Sequence, residues 1–507
     1  MSIQIIHSVA SWFLKKRIHQ MELFLKYPNE VQDELLFALL DRAKDTEYGK
    51  TYDFKSIKTY KDFAERLPIV SYEDIYQDIE RCRQGESNIF WPTPIRMFAK
   101  SSGTTNAKSK FIPLSEDALL DNHYAASKDL LCLYLNNNEN SKLFTGKGLR
   151  LGGSKEIYKN NGTSFGDLSA LLIDNMPLWA SFSSTPSNDI SLMGNWEEKM
   201  PAIIDETINQ NVTSLAGVPS WMLVLLNEIL KKTGSENIKD IWPDLEVYFH
   251  GGVSFDPYLN QYQKMIPSHN FKYYEIYNAS EGFFAAQDSN DSKDLLLMLN
   301  YGVYYEFIPM DIYGREEEHA KTLDEVKIGV NYAMIITTNA GLWRYKIGDT
   351  IRFTSTNPYR IKVTGRTKHH INVFGEELII ENAEEALKKV SLQYDIEIVD
   401  YSVGPIFMEG KDKGAHEWII EFKSPPNNIE DFKQSLDQYL RDVNSDYDAK
   451  RNNDTTLNLL KLHVAKKNLF YTWLKSNEKL GGQHKIPRLS NERTYIDELL
   501  KLQKELS

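Results

Sequence analysis

Cysteine and long apolar runs are scarce in this 507-residue sequence, and its 59 lysines and arginines are outnumbered by 71 aspartates and glutamates. Its two cysteines cannot form a disulfide framework or a cysteine-rich metal site, and their scarcity is typical of a reducing compartment, so we expect a cytoplasmic protein. The formal net charge of -12 argues against nonspecific nucleic-acid binding. No segment approaches the ~20 apolar residues that a membrane span requires. No pattern in the chain specifies an oligomeric state.

The amino-terminal segment is apolar but interrupted. Residues 3–14 contain isoleucine, tryptophan, phenylalanine and leucine, broken by Gln4, His7 and Ser8, and three cationic residues follow at 15–17. A secretory signal would place its cations before the apolar run. The segment is therefore predicted to be an amphipathic helix that docks on the protein, and contact with a membrane surface is the alternative.

The chain is longer than one ordinary domain. Between residues 143 and 350, short apolar strands alternate with helical patterns, which predicts an α/β arrangement of layered sheets and helices. Composition shifts near 350–370, and the strand and helix lengths beyond this point suit a small α+β domain. We place the boundary at residue 366, with a large amino-terminal domain over 1–366 and a small carboxy-terminal domain over 367–507.

Hydrophobic periodicity and capping residues predict the individual elements. One helix is predicted over 20–49 with Gly49 as its stop, another over 72–82, and a third from a Ser115 cap to Tyr134. The elements predicted further along are strands 149–151, 214–217, 245–249, 273–276, 304–308 and 332–337, helix 219–232, a hairpin of 351–353 with 359–363, helix 384–390, strands 397–403 and 418–422, and helix 430–447.

A loop rich in hydroxyl groups, residues 101–110, follows Phe98 and precedes Phe111. Gly103 permits close approach of the backbone and Lys110 supplies a cation, so the loop is suited to binding a nucleoside triphosphate. It is not a Walker A loop, because it lacks the Gly-Lys-Ser/Thr ending. An ordinary polar turn is the alternative. The hydroxyl donors are Ser101, Ser102, Thr104 and Thr105.

Four further residues are candidates for the same site. Glu281 follows an apolar strand at the edge where open α/β sheets bind ligands, and its carboxylate suits Mg²⁺. Asp349, predicted at a turn after a glycine, is placed to accept hydrogen bonds from both ribose hydroxyls. Arg366 is a candidate nucleotide contact beside a Gly365 hinge, and Lys485 belongs to a mobile glycine-containing loop. Taken singly, each residue has a structural alternative. Glu281 is compatible with a surface position at a turn and Asp349 with an ordinary Gly-Asp turn. Arg366 is compatible with a plain linker and Lys485 with a flexible surface loop.

These stretches follow the order phosphate loop, metal glutamate, ribose aspartate, hinge and carboxy-terminal lysine. In this order the chain resembles the adenylate-forming superfamily. Within it, the chain resembles the auxin-responsive acyl acid–amido synthetases, the Gretchen Hagen family, as a bacterial-type member. The resemblance runs from about residue 20 to 490 and is carried by residues 101–105 with Lys110, by 277–281 and by 345–349.

The resemblance implies a large adenylate-forming domain and a small mobile domain that serves two half-reactions. Family members activate a carboxylic acid with ATP and Mg²⁺ as an acyl-adenylate, then transfer the acyl group to an amine, usually an amino acid, to form an amide. By position, Lys485, Lys110 and Glu281 would be catalytic, with Glu281 as the metal ligand. The implied nucleotide contacts are Ser101, Ser102, Gly103, Thr104, Thr105, Gly252, Val253, Tyr277, Ser280, Asp349 and Arg366.

Some positions depart from the family pattern. Ala107 stands where members usually carry glycine, Asn278-Ala279 replaces the plant-type Gly-Ser pair, and Asn372 replaces a lysine that is common in coenzyme A ligases. These departures argue against transferring plant substrate preferences to this chain. An acyl-coenzyme A ligase or stand-alone adenylase is the alternative, and a non-catalytic nucleotide-binding regulatory protein is an alternative of another class. The implied acyl-pocket candidates are Tyr124, Leu151, Met176, Trp179 and His250.

Overall fold

The structure is a computed structural model that describes residues 17–506, apart from 102–109, 153–156, 161, 253–254, 257, 368–369, 372–377, 408–413, 445–446, 449–450, 452–456, 478–485 and 491. The predicted amino-terminal helix, Ser102 to Thr105 of the hydroxyl-rich loop, Val253 and Lys485 lie outside the described residues, so the predictions for them stay predictions. Within the described ranges, every helix is too short or too polar to span a bilayer.

Most helices are short and amphipathic, and they pack around the sheets. The α-helices are α1 (Ile18–Lys26), α2 (Pro28–Ala43), α3 (Glu47–Thr51), α4 (Tyr60–Arg66), α5 (Tyr76–Arg83), α6 (Ala125–Asn137), α7 (Leu168–Asp174), α8 (Leu178–Phe182), α9 (Asn188–Ser191), α10 (Trp196–Thr207), α11 (Pro219–Thr233), α12 (Leu259–Met265), α13 (Ile380–Tyr394), α14 (Ile429–Val443), α15 (Leu469–Ser476) and α16 (Thr494–Glu505). A π-helix, Ala118–Tyr124, leads directly into α6.

The helical segment predicted over 20–49 is confirmed, but it is divided into α1, α2 and α3 and is not one continuous helix. Pro28 lacks an N–H and stands at the first position of α2, which separates α2 from α1. Thr46 then starts α3 by accepting a hydrogen bond from the N–H of Gly49 at 2.9 Å. Gly49 is not a stop but a place of close packing, since a Cβ there would lie 2.1 Å from the carbonyl oxygen of Ala43.

The helix predicted after Ser115 is confirmed. The Ser115 hydroxyl accepts a hydrogen bond from the N–H of Ala118 at 2.9 Å. The first turns of this helix are π-helical and α6 extends to Asn137, three residues beyond the predicted end.

The predicted strands are confirmed to within a few residues at their ends. The strands are β1 (Met97–Ser101), β2 (Lys110–Leu114), β3 (Lys147–Arg150), β4 (Tyr158–Asn160), β5 (Thr163–Gly166), β6 (Ser184–Thr185), β7 (Val212–Gly217), β8 (Val247–Gly251), β9 (Lys272–Ala279), β10 (Gly282–Gln287), β11 (Leu295–Leu297), β12 (Val303–Pro309), β13 (Asn331–Thr338), β14 (Tyr345–Thr356), β15 (Tyr359–Arg366), β16 (His370–Ile371), β17 (Leu378–Ile379), β18 (Ile398–Ile406), β19 (Ala415–Phe422) and β20 (Lys461–Val464).

One large mixed sheet organises the amino-terminal part of the chain. Its strand order is β12-β13-β14-β15-β11-β10-β9-β8-β7-β3-β6. In this spatial order, the neighbouring strands β6, β3, β7, β8 and β9 pair in parallel. The neighbours on the other side of β9, in the order β10, β11, β15, β14, β13 and β12, pair antiparallel. Strand β9 is therefore the junction between the two halves of the sheet.

Smaller sheets complete the described part of the fold. Strands β2-β1-β5-β4 form a second sheet, β16 pairs with β17, and β18-β19-β20 form the sheet of the carboxy-terminal region. The predicted hairpin is confirmed as the antiparallel pair β14 and β15.

The hydrophobic cores follow the sheets. One core contains Leu36, Phe98 and Tyr305, and a second, around Leu215 and Trp242, packs α10 and α11 on the parallel strands. A separate core consists of residues between 371 and 489 and packs α13 and α14 on the carboxy-terminal sheet. Apolar burial thus divides the chain on either side of β15.

Candidate active site

The parallel strands of the large sheet end together at one edge. Strands β3, β7, β8 and β9 are parallel neighbours, with Arg150 opposite Ala216 and Gly217 opposite His250. In open α/β sheets, the carboxyl ends of such strands form the ligand crevice. We refer to these four strand ends as the carboxyl edge.

Glu281 lies at the carboxyl edge, as the sequence predicts. It occupies the turn between β9 and β10, directly after Ser280. Asn122 of the π-helix stabilises this turn through hydrogen bonds of its side chain. Its Oδ1 accepts a hydrogen bond from the N–H of Phe283 at 2.6 Å, and its Nδ2 donates to the carbonyl oxygens of Phe283 at 3.1 Å and Tyr301 at 2.8 Å. Sequence reasoning missed Asn122, because these contacts join residues far apart in the chain.

Asp349 stands at the centre of a buried polar cluster. The Tyr277 hydroxyl donates to Asp349 Oδ2 at 2.7 Å, and Arg366 Nε donates to Asp349 Oδ1 at 2.6 Å. Arg366 lies directly across from Asp349 in the pairing of β15 with β14. The structure therefore brings together three residues that the sequence places up to 89 positions apart.

The prediction that Asp349 lies at a turn between strands is wrong. Asp349 is inside the continuous strand β14, where the register with β13 shifts between Ala333 and Ile335. Gly348 adopts φ +89 at this bulge, and its carbonyl accepts a hydrogen bond from the N–H of Thr367 at 2.8 Å. A bulge redirects a side chain within a strand, so Asp349 faces Tyr277 without a turn.

Gly365 is also part of a strand. It lies in β15 opposite Thr350, with φ +148, so it is not in a plain linker. Whether it acts as a hinge stays a prediction.

Arg366 and Tyr277 keep their usual protonation states at neutral pH. The nearby Asp349 carboxylate raises the pKa of Arg366, which therefore remains cationic. Burial, together with Asp349, raises the pKa of Tyr277 well above its usual value, so its hydroxyl remains a neutral donor. About a third of the Arg366 side chain (38%) stays exposed, whereas Asp349 is 10% exposed, so Arg366 retains donors that face solvent.

Glu281 is half-buried beside this cluster. Burial and the negative charge of Asp349 raise the pKa of Glu281 to about 7, against the opposing charges of Arg366 and Lys110. Lys110 acts on Glu281 more weakly than Arg366 does, and its ammonium lies 5.2 Å from the centre of the Tyr72 ring. Lys110, Tyr277, Glu281, Asp349 and Arg366 therefore form one group, which we call the acidic–basic cluster.

The donor set at Glu281 fits Mg²⁺ only in partnership with a phosphate ligand. Among the described residues, no group of three or more His, Cys, Asp or Glu side chains is arranged to hold a metal ion. Both Asp349 oxygens already accept hydrogen bonds. Magnesium is commonly held by one or two carboxylates, with substrate phosphates and water supplying the remaining ligands. A single carboxylate at Glu281 is consistent with that arrangement.

The other nucleotide-site candidates lie near the same strands. Gly252 follows β8 in a bend with φ +82, and the preceding Gly251 packs so closely that a Cβ would lie 2.4 Å from the carbonyl oxygen of Ile276. The backbone of Ser101 ends β1 opposite Lys110, so this pair closes the hydroxyl-rich loop at its base.

Arg344, next to the predicted motif 345–349, has a structural role. Its guanidinium pairs with the buried carboxylate of Glu306 at 2.8 Å and donates to the carbonyl oxygens of Ala64 and Leu67 at 2.8 and 2.7 Å. It thereby ties α4 to β12 and to the start of β14. Because all of these partners are groups of the protein, we infer that the role of Arg344 is to support the strand that carries Asp349.

A cavity of about 890 Å³ lies in a different part of the molecule. It is bounded by α1, α2 and residues such as Trp91, Asp129 and Tyr301. None of the described residues of the acidic–basic cluster lines it. Cavity volume therefore does not mark the candidate active site.

Comparison with known protein families agrees with the geometry. The GH3 family N-terminal domain matches residues 17–271, its central domain 296–366 and its C-terminal domain 380–494. This chain belongs to the GH3 family. The sequence-based assignment to the Gretchen Hagen family is confirmed at this level.

Curated relatives of this GH3 protein include plant synthetases. It is 27% identical to the indole-3-acetic acid-amido synthetase GH3.4 of Arabidopsis thaliana, over 67% of each chain. It is 23% identical to the jasmonoyl–L-amino acid synthetase JAR6 of Nicotiana attenuata, over 94% of this chain and 93% of that protein.

Solved structures share the fold of the GH3 protein. The GH3.15 acyl acid amido synthetase superposes with a TM-score of 0.80 at 19% identity, covering 97% of this chain and 96% of that one. A 2-hydroxyisobutyryl-CoA ligase in the postadenylation state superposes with a TM-score of 0.59 at 13% identity, covering 94% and 91%. The predicted fold class, a large α/β domain with a small α+β domain, is confirmed.

Proposed function

We propose that this GH3 protein is an ATP-dependent acyl acid–amido synthetase, which activates a carboxylic acid as an acyl-adenylate and then conjugates it to an amino acid. The observation that carries the proposal is the acidic–basic cluster, where Glu281 stands beside the Asp349–Arg366 pair at the carboxyl edge. Family membership, and the synthetase activities in the names of its relatives, support the same enzyme class.

We assign binding of the ATP ribose to Asp349. A carboxylate offers about four acceptor positions, and two at Asp349 are taken by Tyr277 and Arg366. The remaining lone pairs suit the two ribose hydroxyls. The existing bonds hold the carboxylate in a fixed orientation before ATP arrives, which lowers the entropic cost of binding.

Adenylation requires a carboxylate oxygen of the acid to attack the α-phosphorus of ATP while pyrophosphate leaves. Both reactants are anionic, so cationic side chains must offset their repulsion. We assign this role to Lys110, whose charge acts on Glu281, and to Lys485. Mg²⁺ held by Glu281 would neutralise phosphate oxygens. The remaining assigned nucleotide contacts are Ser101, Ser102, Gly103, Thr104, Thr105, Gly252, Val253 and Ser280.

Two domains are assigned to this reaction, residues 1–366 and 367–507. The separate hydrophobic core beyond residue 371 supports the boundary. The described contacts between the two parts include polar ones, such as Lys264 Nζ to Glu397 Oε1 at 2.6 Å and Arg488 to the Tyr258 hydroxyl at 3.1 Å. Polar interfaces between domains favour relative motion, which would let the small domain deliver Lys485 for one half-reaction and withdraw it for the other.

Two experiments test the enzyme class. Acid-dependent ATP–pyrophosphate exchange across a panel of carboxylic acids tests adenylation, and mass spectrometry of reactions supplemented with amino acids tests amide formation. Failure of every acid to release AMP or to support exchange would contradict the proposal and leave a non-catalytic nucleotide-binding protein. Thioesters formed with coenzyme A, in place of amides, would identify an acyl-coenzyme A ligase instead.

We also propose that the protein is a bacterial-type member of the family and that it is located in the cytoplasm. The Asn278-Ala279 pair, in place of the plant-type Gly-Ser, supports the first. The second is supported by the free, buried thiols of Cys82 and Cys132. A phylogenetic tree that includes bacterial and plant members tests the bacterial-type assignment. Fractionation of cells that express the protein tests the cytoplasmic location.

A further inference from the structure

One arginine at the carboxyl edge has no anionic partner among the described residues. Arg150 is the last residue of β3 and is half-buried. Its Nε is buried without a hydrogen-bond acceptor in the described part of the chain, and its Nη1 lies 2.8 Å from Sδ of Met176. Its guanidinium therefore faces a thioether where a carboxylate would be expected.

Three other arginines with buried or partly buried side chains are paired with carboxylates. Arg344 binds Glu306, Arg366 binds Asp349 and Arg451 binds Asp437. Burial lowers the pKa of Arg150 to about 10, because its charge is desolvated and only Tyr124 offsets the effect. The side chain nevertheless remains cationic at neutral pH. A desolvated cation without a counter-charge destabilises a fold, so its presence requires another explanation.

The groups that interact with Arg150 are mostly neutral. Tyr124 interacts with it electrostatically, and the Tyr124 hydroxyl donates to the carbonyl oxygen of Leu172 at 2.7 Å. His250, two strands away at the carboxyl edge, is buried, and burial lowers its pKa to about 3, so the ring is neutral. Arg150 is thus a positive charge near Met176 and Tyr124, and the carboxylate of Asp174 also acts on Tyr124. A few polar groups among apolar ones are typical of small-molecule sites.

The position of Arg150 relates it to the acidic–basic cluster. The strands β7 and β8 separate β3 from β9, which leads to Glu281. Three strand spacings of ~4.8 Å place the two ends of the carboxyl edge roughly 14 Å apart. One crevice can therefore hold the reacting carboxyl group near Glu281 and another part of the substrates near Arg150.

We propose that Arg150 binds a substrate carboxylate that is not the one being activated. The inference rests on the proposed synthetase function and adds a charge requirement to its substrates. Two sources have this chemistry: the remote carboxylate of a dicarboxylic acyl acid and the α-carboxylate of the amino acid acceptor. A guanidinium binds either through two parallel N–H donors.

The adenylation arm of the test uses no amine. ATP–pyrophosphate exchange is measured with the α,ω-dicarboxylic acids from glutarate to azelate and with their monomethyl esters. If the acyl acid supplies the carboxylate, Arg150→Leu raises the KM of the diacids by about 10–100-fold and leaves that of the monoesters unchanged. Arg150→Lys, which keeps the charge, restores part of the difference.

The acceptor arm measures amide formation with alanine, leucine and glutamate and with the α-carboxamide of each. If the acceptor supplies the carboxylate, Arg150→Leu raises the KM of the free amino acids by about 10–100-fold, leaves that of the carboxamides unchanged and leaves pyrophosphate exchange intact. Lys147→Met, on the same strand but at its other end, is the matched control and keeps wild-type values in both arms.

Stability separates binding from a structural role. Because Arg150 lacks a described counter-charge, Arg150→Leu should keep or raise the melting temperature, whereas loss of a structural arginine would lower it. An Arg150→Leu variant with unchanged KM values in both arms, or with KM raised equally for charged and neutral substrates, overturns the proposal while the synthetase function stands.

Direct binding separates failure of the proposed function from failure of this inference. Absence of wild-type exchange with every acid overturns the synthetase function. Titration calorimetry of the same diacids and amino acids, against wild type and Arg150→Leu, then decides the role of Arg150. Binding that Arg150→Leu weakens about tenfold or more supports the site, and equal binding by both proteins, or none by either, overturns it.

Discussion

At the scale of single residues, Glu281 links protonation to stability. Because burial raises its pKa from 4.5 to about 7, the folded protein retains a proton there that the unfolded chain releases. The stability contributed by this proton is fully present below the unfolded pKa and is lost as the pH rises through the folded pKa. The same proton competes with any cation for the carboxylate.

We expect Glu281→Gln to remove this pH dependence. Between about pH 5 and pH 8, the free energy of unfolding of the unliganded wild type should fall by about 1–3 kcal/mol more than that of the variant. Urea denaturation at the two pH values measures the difference. Glu65→Gln, at an exposed position of α4, is the control and should behave as wild type. A Glu281→Gln protein with the wild-type pH dependence would show that the Glu281 carboxyl group has an ordinary pKa.

Asp349→Ala should raise the KM for ATP in pyrophosphate exchange by about 10–100-fold, because it removes the proposed ribose acceptor and leaves Arg366 and Tyr277 without their partner. The matched control is Asp288→Ala, which breaks the ion pair between Asp288 and Arg360 at the opposite end of β15. It should leave the KM for ATP unchanged. Equal effects of the two substitutions would mean that Asp349 acts only in folding.

At the scale of secondary-structure elements, the π-helix before α6 positions the turn that carries Glu281. In a π-helix the hydrogen bonds span one residue more than in an α-helix, which changes the direction of the side chains that follow. Asn122 thereby meets both β10 and Tyr301 with three hydrogen bonds. The element connects the first helical layer of the fold to the carboxyl edge.

Asn122→Ala should lower the free energy of unfolding by about 2–4 kcal/mol, since it leaves buried backbone groups unpaired. We also expect a fall in kcat for exchange, because the Glu281 turn loses its support. Chemical denaturation and exchange kinetics measure the two effects. Asn227→Ala, which removes one hydrogen bond within α11, is the control and should change neither value by much. A stable Asn122→Ala protein with normal kcat would refute the role of the π-helix.

At the scale of the whole molecule, the described arrangement of the two parts is held partly by surface charges. Lys264 pairs with Glu397 across the boundary, and Lys388 approaches Asp256 at 3.3 Å. Exposed ion pairs contribute little, roughly 0–1 kcal/mol each. Such weak contacts are compatible with the domain motion proposed above.

Reversing one of these charges should shift the balance between the half-reactions. We expect Lys264→Glu to change the ratio of pyrophosphate exchange to amide formation by about twofold to fivefold, the range that a ~1 kcal/mol contact allows. Lys61→Glu, which breaks an ion pair within α4, is the matched control and should keep the wild-type ratio. A Lys264→Glu protein with the wild-type ratio would show that this ion pair does not control the domain arrangement.

Local patterns in the sequence determined the parallel strands, the β14–β15 hairpin, the carboxyl-edge position of Glu281 and the family. These features depend on runs of apolar residues and on residues adjacent in the chain, so one sequence suffices to predict them. The helix breaks at Pro28 and Thr46 were also encoded locally, although periodicity alone concealed them.

The tertiary structure alone decided which side chains meet. The bulge at Gly348 aims Asp349 at Tyr277, the π-helix brings Asn122 to Phe283, and the end of β3 leaves Arg150 without an anion among the described residues. Each outcome depends on sheet register or on packing between distant segments. Neither is encoded in the neighbouring residues, because register and packing are set by the free energy of the whole fold.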